Sequence, residues 1–423
     1  MPEPAAHAPA PRAPLLSLDE AVARLVAAAA PCALTATEEV ATIAALGRTL
    51  AEDVRSALDV PPADNTSMDG YALRCADVPA TGVVLPVSQR IPAGVVGAAL
   101  QAGTVARIFT GAQIPPGADA VVMQEQCTAL DDGRVRVDTV PAAGQWIRRR
   151  GEDIATGAVV LARGSLLTPQ ALGLAASVGR AALAVVRRPR VALFSTGDEL
   201  ALPGEPLKPG AIYNSNRYTL GGLLQAVGCE VRDLGIIPDR LDATRAALRE
   251  AAEGGDLILT SGGVSVGEED HLKPAMQVEG RLDLWQVAIK PGKPLAFGAV
   301  RRPSGGEALY LGLPGNPVSS FVTFLLAVAP VLRVLQGRAP GGATDARTSL
   351  PVRADFDWPR PDRRREFLRV RFNAEGGLGL YPNQSSGVLT STVWADGLVD
   401  VPPATPVRRG DVVRYLPLQG LLA

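Results

Sequence analysis

Between residues 187 and 337 the chain alternates short apolar runs with helical stretches, and this alternation constrains its fold more than any other feature. Runs at 190–194, 230–237 and 257–260 have the length and Val/Ile/Leu content of buried strands, and 214–227 and 241–253 suit helices between them. A tight turn cannot join parallel neighbours, so each helix acts as a crossover and the strands form a doubly wound parallel sheet. Ligands of such sheets bind beyond the carboxyl ends of the strands, which places the loops 195–200, 238–240 and 261–270 at the mouth of a site. A closing helix is marked by Asn316 as N-cap, Pro317 at its first position and Gly337 past its last turn.

The remaining residues read differently. At 423 residues the chain exceeds what one core usually organises, about 250 to 300 residues, so several domains are expected. Ser17 and Glu20 form a capping box at the start of one helix, and Thr168 with Pro169 starts another that ends at Gly179. Between them, residues 56–149 are short β-rich runs separated by Pro and Gly turns. The expected organisation is a discontinuous helical domain at 15–55 that continues at 150–186, an inserted β domain at 56–149, the doubly wound α/β domain at 187–337, and a C-terminal β domain at 338–423.

Composition narrows the chemistry. A net charge of −1 gives no global field for nucleic acid or an anionic membrane, so any anion site must be local. The apolar run 321–332 is shorter than the roughly 20 residues that span a bilayer and reads as a core helix, while the first fourteen residues form a Pro/Ala-rich tail without an export signal. Cys32, Cys75, Cys127 and Cys229 are widely spaced, which suits reduced thiols and a cytoplasmic location. With only His7 and His271 as imidazoles, a bound metal would take oxygen ligands, and these favour magnesium. All but four of the 42 basic residues are arginine. The exceptions are Lys208, Lys273, Lys290 and Lys293, and an ammonium retained in such a background marks a place where a compact charge is wanted.

Several loops concentrate polar groups. DNTSMDGYA at 64–72 puts Asp64, Asp69 and two hydroxyls in one turn, suited either to a plain surface turn or to ligand contact. TSGGVSVGEED at 260–270 follows a strand, and its glycines let backbone N–H groups approach an anion while its carboxylates invite a cation. KPGKP at 290–294 sets two ammonium groups three residues apart on a proline-stiffened loop, able to converge on one oxyanion. STGDEL at 195–200 places Asp198 and Glu199 at a strand end, RRRGED at 148–153 adds Asp153, and RREF at 364–367 with QSSG at 384–387 adds a guanidinium and hydroxyls. The sequence has no Gly-x-Ser-x-Gly elbow and no Ser-His-Asp set to pair a nucleophile with a base.

Taken in order, these loops, together with FTGAQIPPGADAVVMQE at 109–125, NSN at 214–216 and GLPGNPVSS at 312–320, resemble the molybdopterin molybdenumtransferase family, which includes MoeA proteins and the gephyrin E domain. The resemblance spans nearly the whole chain. It implies an elongated four-domain protomer in a homodimer, and a reaction in which adenylylated molybdopterin and molybdate are converted to molybdenum cofactor and AMP with magnesium. Carried over by motif position, Ser265 and Asp270 would meet the nucleotide phosphate and magnesium, with Asp239 and Glu199 in the same mouth. Lys290, Lys293, Ser319, Arg364 and Ser386 would hold molybdate or the pterin phosphate, and Asp64, Asp69, Thr110 and Asp153 would line the cleft from the partner subunit. Implied partners are the molybdopterin adenylyltransferase and molybdoenzyme chaperones. Thr66-Ser67 stands where the family more often has Ser-Ala, and Glu268 where it often has Asp. The doubly wound domain alone also resembles the molybdopterin adenylyltransferase fold, and a non-catalytic scaffold is a third reading.

Overall fold

The computed structural model describes residues 15–263, 271–341 and 349–422, with the side chain of Leu284 excepted, and divides into two compact units. One comprises residues 1–39, 47–51 and 184–423; the other comprises 40–46 and 52–183.

The first unit is built on a seven-stranded sheet in the order Leu15–Leu16, Gly280–Val287, Pro294–Arg301, Glu307–Leu313, Leu257–Ser261, Arg190–Thr196, Glu230–Ile237. Its last four strands are mutually parallel and linked by crossover helices, as the alternation predicts. The sheet as a whole is mixed, because Gly280–Val287, Pro294–Arg301 and Glu307–Leu313 run antiparallel to one another. Only a few residues join them, and links that short permit hairpins but no parallel crossover. Strand residues alternate between two cores. Val191, Leu193, Leu257 and Leu259 face helices Leu18–Ala29, Ser215–Ala226 and Pro317–Leu335, whereas Ala192, Phe194 and Ile258 face Leu241–Ala252 and Leu272–Glu279.

The helix Leu18–Ala29 starts with the full capping box between Ser17 and Glu20 and buries Leu18, Ala21, Val22 and Leu25 in the first of these cores. Of the stretch expected as one helical domain, residues 15–39 and 47–51 therefore pack with the doubly wound unit, and only 40–46 and 52–55 share a unit with 150–183. The helix Pro317–Leu335 is longer than the apolar run suggested: its 19 residues are enough by length and composition to cross a membrane, yet 94% of its most apolar window is buried inside the fold. Pro330 lacks the N–H of a regular turn, and the helix passes through a π-helical stretch at Phe324–Val328 just before it. The residues that follow contribute five strands of a six-stranded sheet whose sixth is Ile289–Lys290, and Phe367, Leu398 and Leu416 join the same core as this helix.

The second unit holds a six-stranded sheet in the order Ala120–Met123, Gly70–Leu73, Val105–Ile108, Val83–Ile91, Arg134–Val137, Cys127–Ala129. Gly70 is required there, since a Cβ would collide with the Val122 carbonyl of the paired strand.

Candidate functional site

In the first unit a cleft of about 830 Å³ opens past the carboxyl ends of Arg190–Thr196 and Leu257–Ser261. Glu199, Lys290, Lys293, Ser319, Arg364 and Ser386, drawn from five separate loops or helix starts, all line it.

A change of sheet by the chain brings the C-terminal residues to this mouth. After Gly280–Val287 the short segment Ile289–Lys290 leaves the doubly wound sheet and pairs in parallel with Arg365 and Glu366. Lys290 thus lies beside a strand of the C-terminal sheet, with its Nζ 3.1 Å from Glu366 Oε1 and 3.6 Å from Asp362 Oδ2. Glu366 is 1% exposed; its other oxygen accepts from the Trp358 indole at 2.8 Å and the Asp362 backbone N–H at 2.7 Å. Arg364 donates to both oxygens of Asp362, at 2.9 and 3.1 Å, and these bonds hold the Asp362 carboxyl far below the usual carboxylate range. Lys293 is exposed and immediately follows the turn at Pro291 and Gly292. Gly292 has φ +110°, and a Cβ there would run into Thr323 Oγ1, so this turn lies directly against the helix that carries Ser319. Ser319 is buried in the first turns of that helix, whose Val318 N–H donates to the Ser386 carbonyl at 3.0 Å.

The floor of the cleft is polar and tightly packed. Ser195 and Ser261 hydroxyls meet at 3.0 Å, and Gly262, at φ +87°, brings the backbone against the Thr196 carbonyl, where a Cβ would come within 3.0 Å. Asn214 caps helix Ser215–Ala226 through its Oδ1, which accepts from the Arg217 N–H at 3.1 Å, and Asn216 donates to the Gly315 carbonyl at 2.8 Å. With those atoms fixed, Asn214 Nδ2 and Asn216 Oδ1 are left as buried polar atoms without a partner among the described residues. In the linear sequence the NSN motif is only a mark of resemblance, Asp362 draws no notice, and Glu366 stands within RREF without an assigned role. Acidic residues close to a pair of lysines on a different loop carry no signal in the linear sequence.

Asp239 does not line this cleft; its backbone N–H donates to Asp198 Oδ1 at 3.1 Å, which ties its loop to that of Glu199. Ser265 and Asp270 lie outside the described residues. Among the described residues no three His, Cys, Asp or Glu side chains gather as a metal-ligand group. Glu199 and Asp239 are oxygen donors of the kind magnesium takes, but the described residues do not complete a set.

In the second unit three motif loops converge. Asp69 accepts from the Thr110 hydroxyl and from the Thr110 backbone N–H, both at 2.7 Å, and these bonds lower its pKa. Asp64 accepts from the Arg150 N–H at 2.8 Å and from the Arg149 guanidinium at 2.7 Å, the first being the main cause of its lowered pKa. Asp153 is exposed on the same Arg-rich loop, where its N–H donates to the Val60 carbonyl at 3.0 Å. Arg107 stacks 4.5 Å from the Phe109 ring, one residue before Thr110.

Three family models match the chain: the MoeA N-terminal region (domains I and II) at 16–179, a probable molybdopterin-binding domain at 192–334, and the MoeA C-terminal region (domain IV) at 351–418. The molybdopterin molybdenumtransferase of Haemophilus influenzae is 43% identical over 304 residues, covering 72% of this chain and 74% of its own. The chain belongs to the molybdopterin molybdenumtransferase family. Molybdopterin molybdenumtransferase 2 of Mycobacterium tuberculosis, at 38% identity over 85% of this chain and 89% of its own, is a further relative. A crystal structure of a molybdopterin biosynthesis MoeA protein from Pyrococcus horikoshii superposes with a TM-score of 0.80 at 29% identity, covering 96% of this chain and all of that one. As a member of the molybdopterin molybdenumtransferase family, the chain is a transferase of molybdenum-cofactor biosynthesis.

Proposed function

We propose that the enzyme takes molybdate and adenylylated molybdopterin as its substrates and releases molybdenum cofactor and AMP. The observation that carries this reading is the convergence of Lys290, Lys293, Arg364, Ser319 and Ser386 on one cleft at the sheet's carboxyl edge. Ammonium and guanidinium donors beside hydroxyls suit a tetrahedral dianion, whether molybdate or the pterin phosphate. Lys293 and Lys290 would attract and hold the oxyanion, Ser319 and Ser386 would donate to its oxygens, and Arg364 would orient it through its planar fork. Magnesium, held by Glu199, Asp239 and Asp270, would offset the charge of the adenylate phosphates; the Asp198 contact between the first two loops supports that grouping.

The working enzyme in this proposal is a cytoplasmic homodimer in which Asp64, Asp69, Thr110 and Asp153 face a partner's cleft. It would receive substrate from the molybdopterin adenylyltransferase and pass product to molybdoenzyme chaperones. Four free thiols favour a reducing compartment. Incubation of the purified protein with adenylylated molybdopterin, magnesium and molybdate tests the chemistry: AMP release that depends on molybdate is expected. Adenylylated product formed from ATP and molybdopterin would instead assign the preceding step, and full activity in a Lys290→Ala variant would remove the cleft from the mechanism.

A further inference from the structure

Behind the cleft lies a buried cation that no carboxylate among the described residues neutralises. Arg369, on strand Arg365–Phe372, is the largest fully buried side chain among the described residues. Its Nε donates to Ser391 Oγ at 3.2 Å, Nη1 to the Phe367 carbonyl at 3.2 Å and Nη2 to the Ser385 carbonyl at 3.3 Å. None of these partners is charged, and among the described residues it pairs with no carboxylate. Burial brings its pKa down to about 10, which leaves it protonated at neutral pH. A buried charge that is solvated only by dipoles is costly, and leucine or methionine would fill such a space more stably.

The loop it supports is a wall of the cleft. Gln384 Oε1 accepts from the Arg369 backbone N–H at 2.9 Å and its Nε2 donates to the Arg369 carbonyl at 3.0 Å, so the loop is laid along this residue. Gln384, Ser385 and Ser386 line the cleft, and the Ser386 carbonyl accepts from the helix that carries Ser319. On the cleft side, meanwhile, much of the positive charge is already paired: Lys290 with Glu366 and Asp362, and Arg364 with Asp362. Besides the exposed Lys293, an entering dianion thus meets two cations whose charge is largely compensated, while Arg369 sits behind the loop 384–386 with no carboxylate partner among the described residues.

We propose that Arg369 is a positioning residue for oxyanion binding, fixing the loop 384–386 from behind and supplying buried positive charge that the bound anion neutralises. This deepens the reading of the cleft as an oxyanion site and rests on it. The field of a buried charge acts through protein, where screening by water and salt is weak, so it reaches the cleft without contact.

Molybdate affinity of the full-length protein, measured by calorimetry at pH 6.5 and pH 9.5, tests the idea. Arg369→Gln should weaken binding on the order of tenfold at both pH values, as loss of a buried charge near a dianion requires. Arg369→Lys retains the charge while shortening the reach; it should bind within about threefold of the unmodified protein at pH 6.5 and drift toward the glutamine variant at pH 9.5, because a buried lysine loses its proton earlier. A merely structural arginine predicts a lysine variant as weak as the glutamine one at both pH values, and that result overturns the proposal. Equal affinity in the unmodified and glutamine proteins overturns it too, while leaving the cleft reading intact; no molybdate binding by the unmodified protein overturns both. Should neither variant fold, hydrogen exchange of residues 384–391 in the unmodified protein decides, with protection by molybdate supporting the proposal and no change overturning it.

Discussion

Glu366 shows how much a single buried carboxylate can organise. It holds Lys290, the Trp358 indole and the Asp362 backbone at once, and it is buried. Glu366→Gln keeps the shape but can offer only one acceptor oxygen, so either Lys290 or the indole loses its partner. Turnover is expected to fall roughly tenfold, with a stability loss on the order of 1 to 3 kcal/mol, the usual penalty for an unsatisfied buried group; paired turnover and denaturant-melt measurements check both. Gly292 is equally constrained. Gly292→Ala meets both a left-handed backbone and the Thr323 hydroxyl, and should cost about 1 to 3 kcal/mol in the same melts while weakening turnover through Lys290 and Lys293. At this scale burial also silences the thiols. It pushes Cys127 and Cys229 up to about 12 and Cys75 up to about 11, so all three should resist alkylation at pH 8 until the protein is unfolded, as a timed thiol count would reveal.

Helix Ser215–Ala226 illustrates how one element can serve both fold and site. Asn214 Oδ1 caps it, while Asn214 Nδ2 is a buried donor without a partner among the described residues. Asn214→Ala should lose the cap and about 1 kcal/mol of stability, whereas Asn214→Asp should keep the cap and lose only the donor. A melt unchanged in the aspartate variant, with turnover reduced, would separate the two roles; reduced turnover in alanine alone would mean that capping is all this residue does. The strands and helices of the doubly wound unit were legible because their apolar period and caps are local signals, as at Ser17, and the same holds for Thr168 in the other unit; Asn316 takes the expected N-cap position, but its side chain makes no capping bond. The antiparallel hairpins at 280–313 were not, since their apolar runs match those of a parallel strand and only the short links betray them. Among site residues, Lys290 stood out by its rarity and Glu199 by its strand end. Asp362 and Glu366 did not, because their significance arises from a strand pairing between residues more than seventy positions apart, and Arg369 did not, because only the folded loop at 384–391 shows that its guanidinium is buried without a carboxylate among the described residues.

On the scale of the molecule, acid should act through carboxylates held in their charged form. Asp362, kept low by Arg364, and Asp64, kept low by the Arg150 N–H, release their stabilisation only when protonated in the fold. Their contribution is complete above the ordinary carboxylate range near 4 and declines as pH drops toward their depressed folded values. Thermal melts should therefore stay level from pH 7 to about pH 5 and fall below about pH 4. The crossing of Ile289–Lys290 from one sheet to the other has a consequence for biosynthesis. A nascent chain halted after the doubly wound segment would display Lys290 with no neighbouring strand to receive it, since Arg364 and Ser386 would not yet have been added. Substrate therefore cannot template the early folding of this enzyme, and the cleft becomes competent only after residues 364–386 have emerged to meet Lys290.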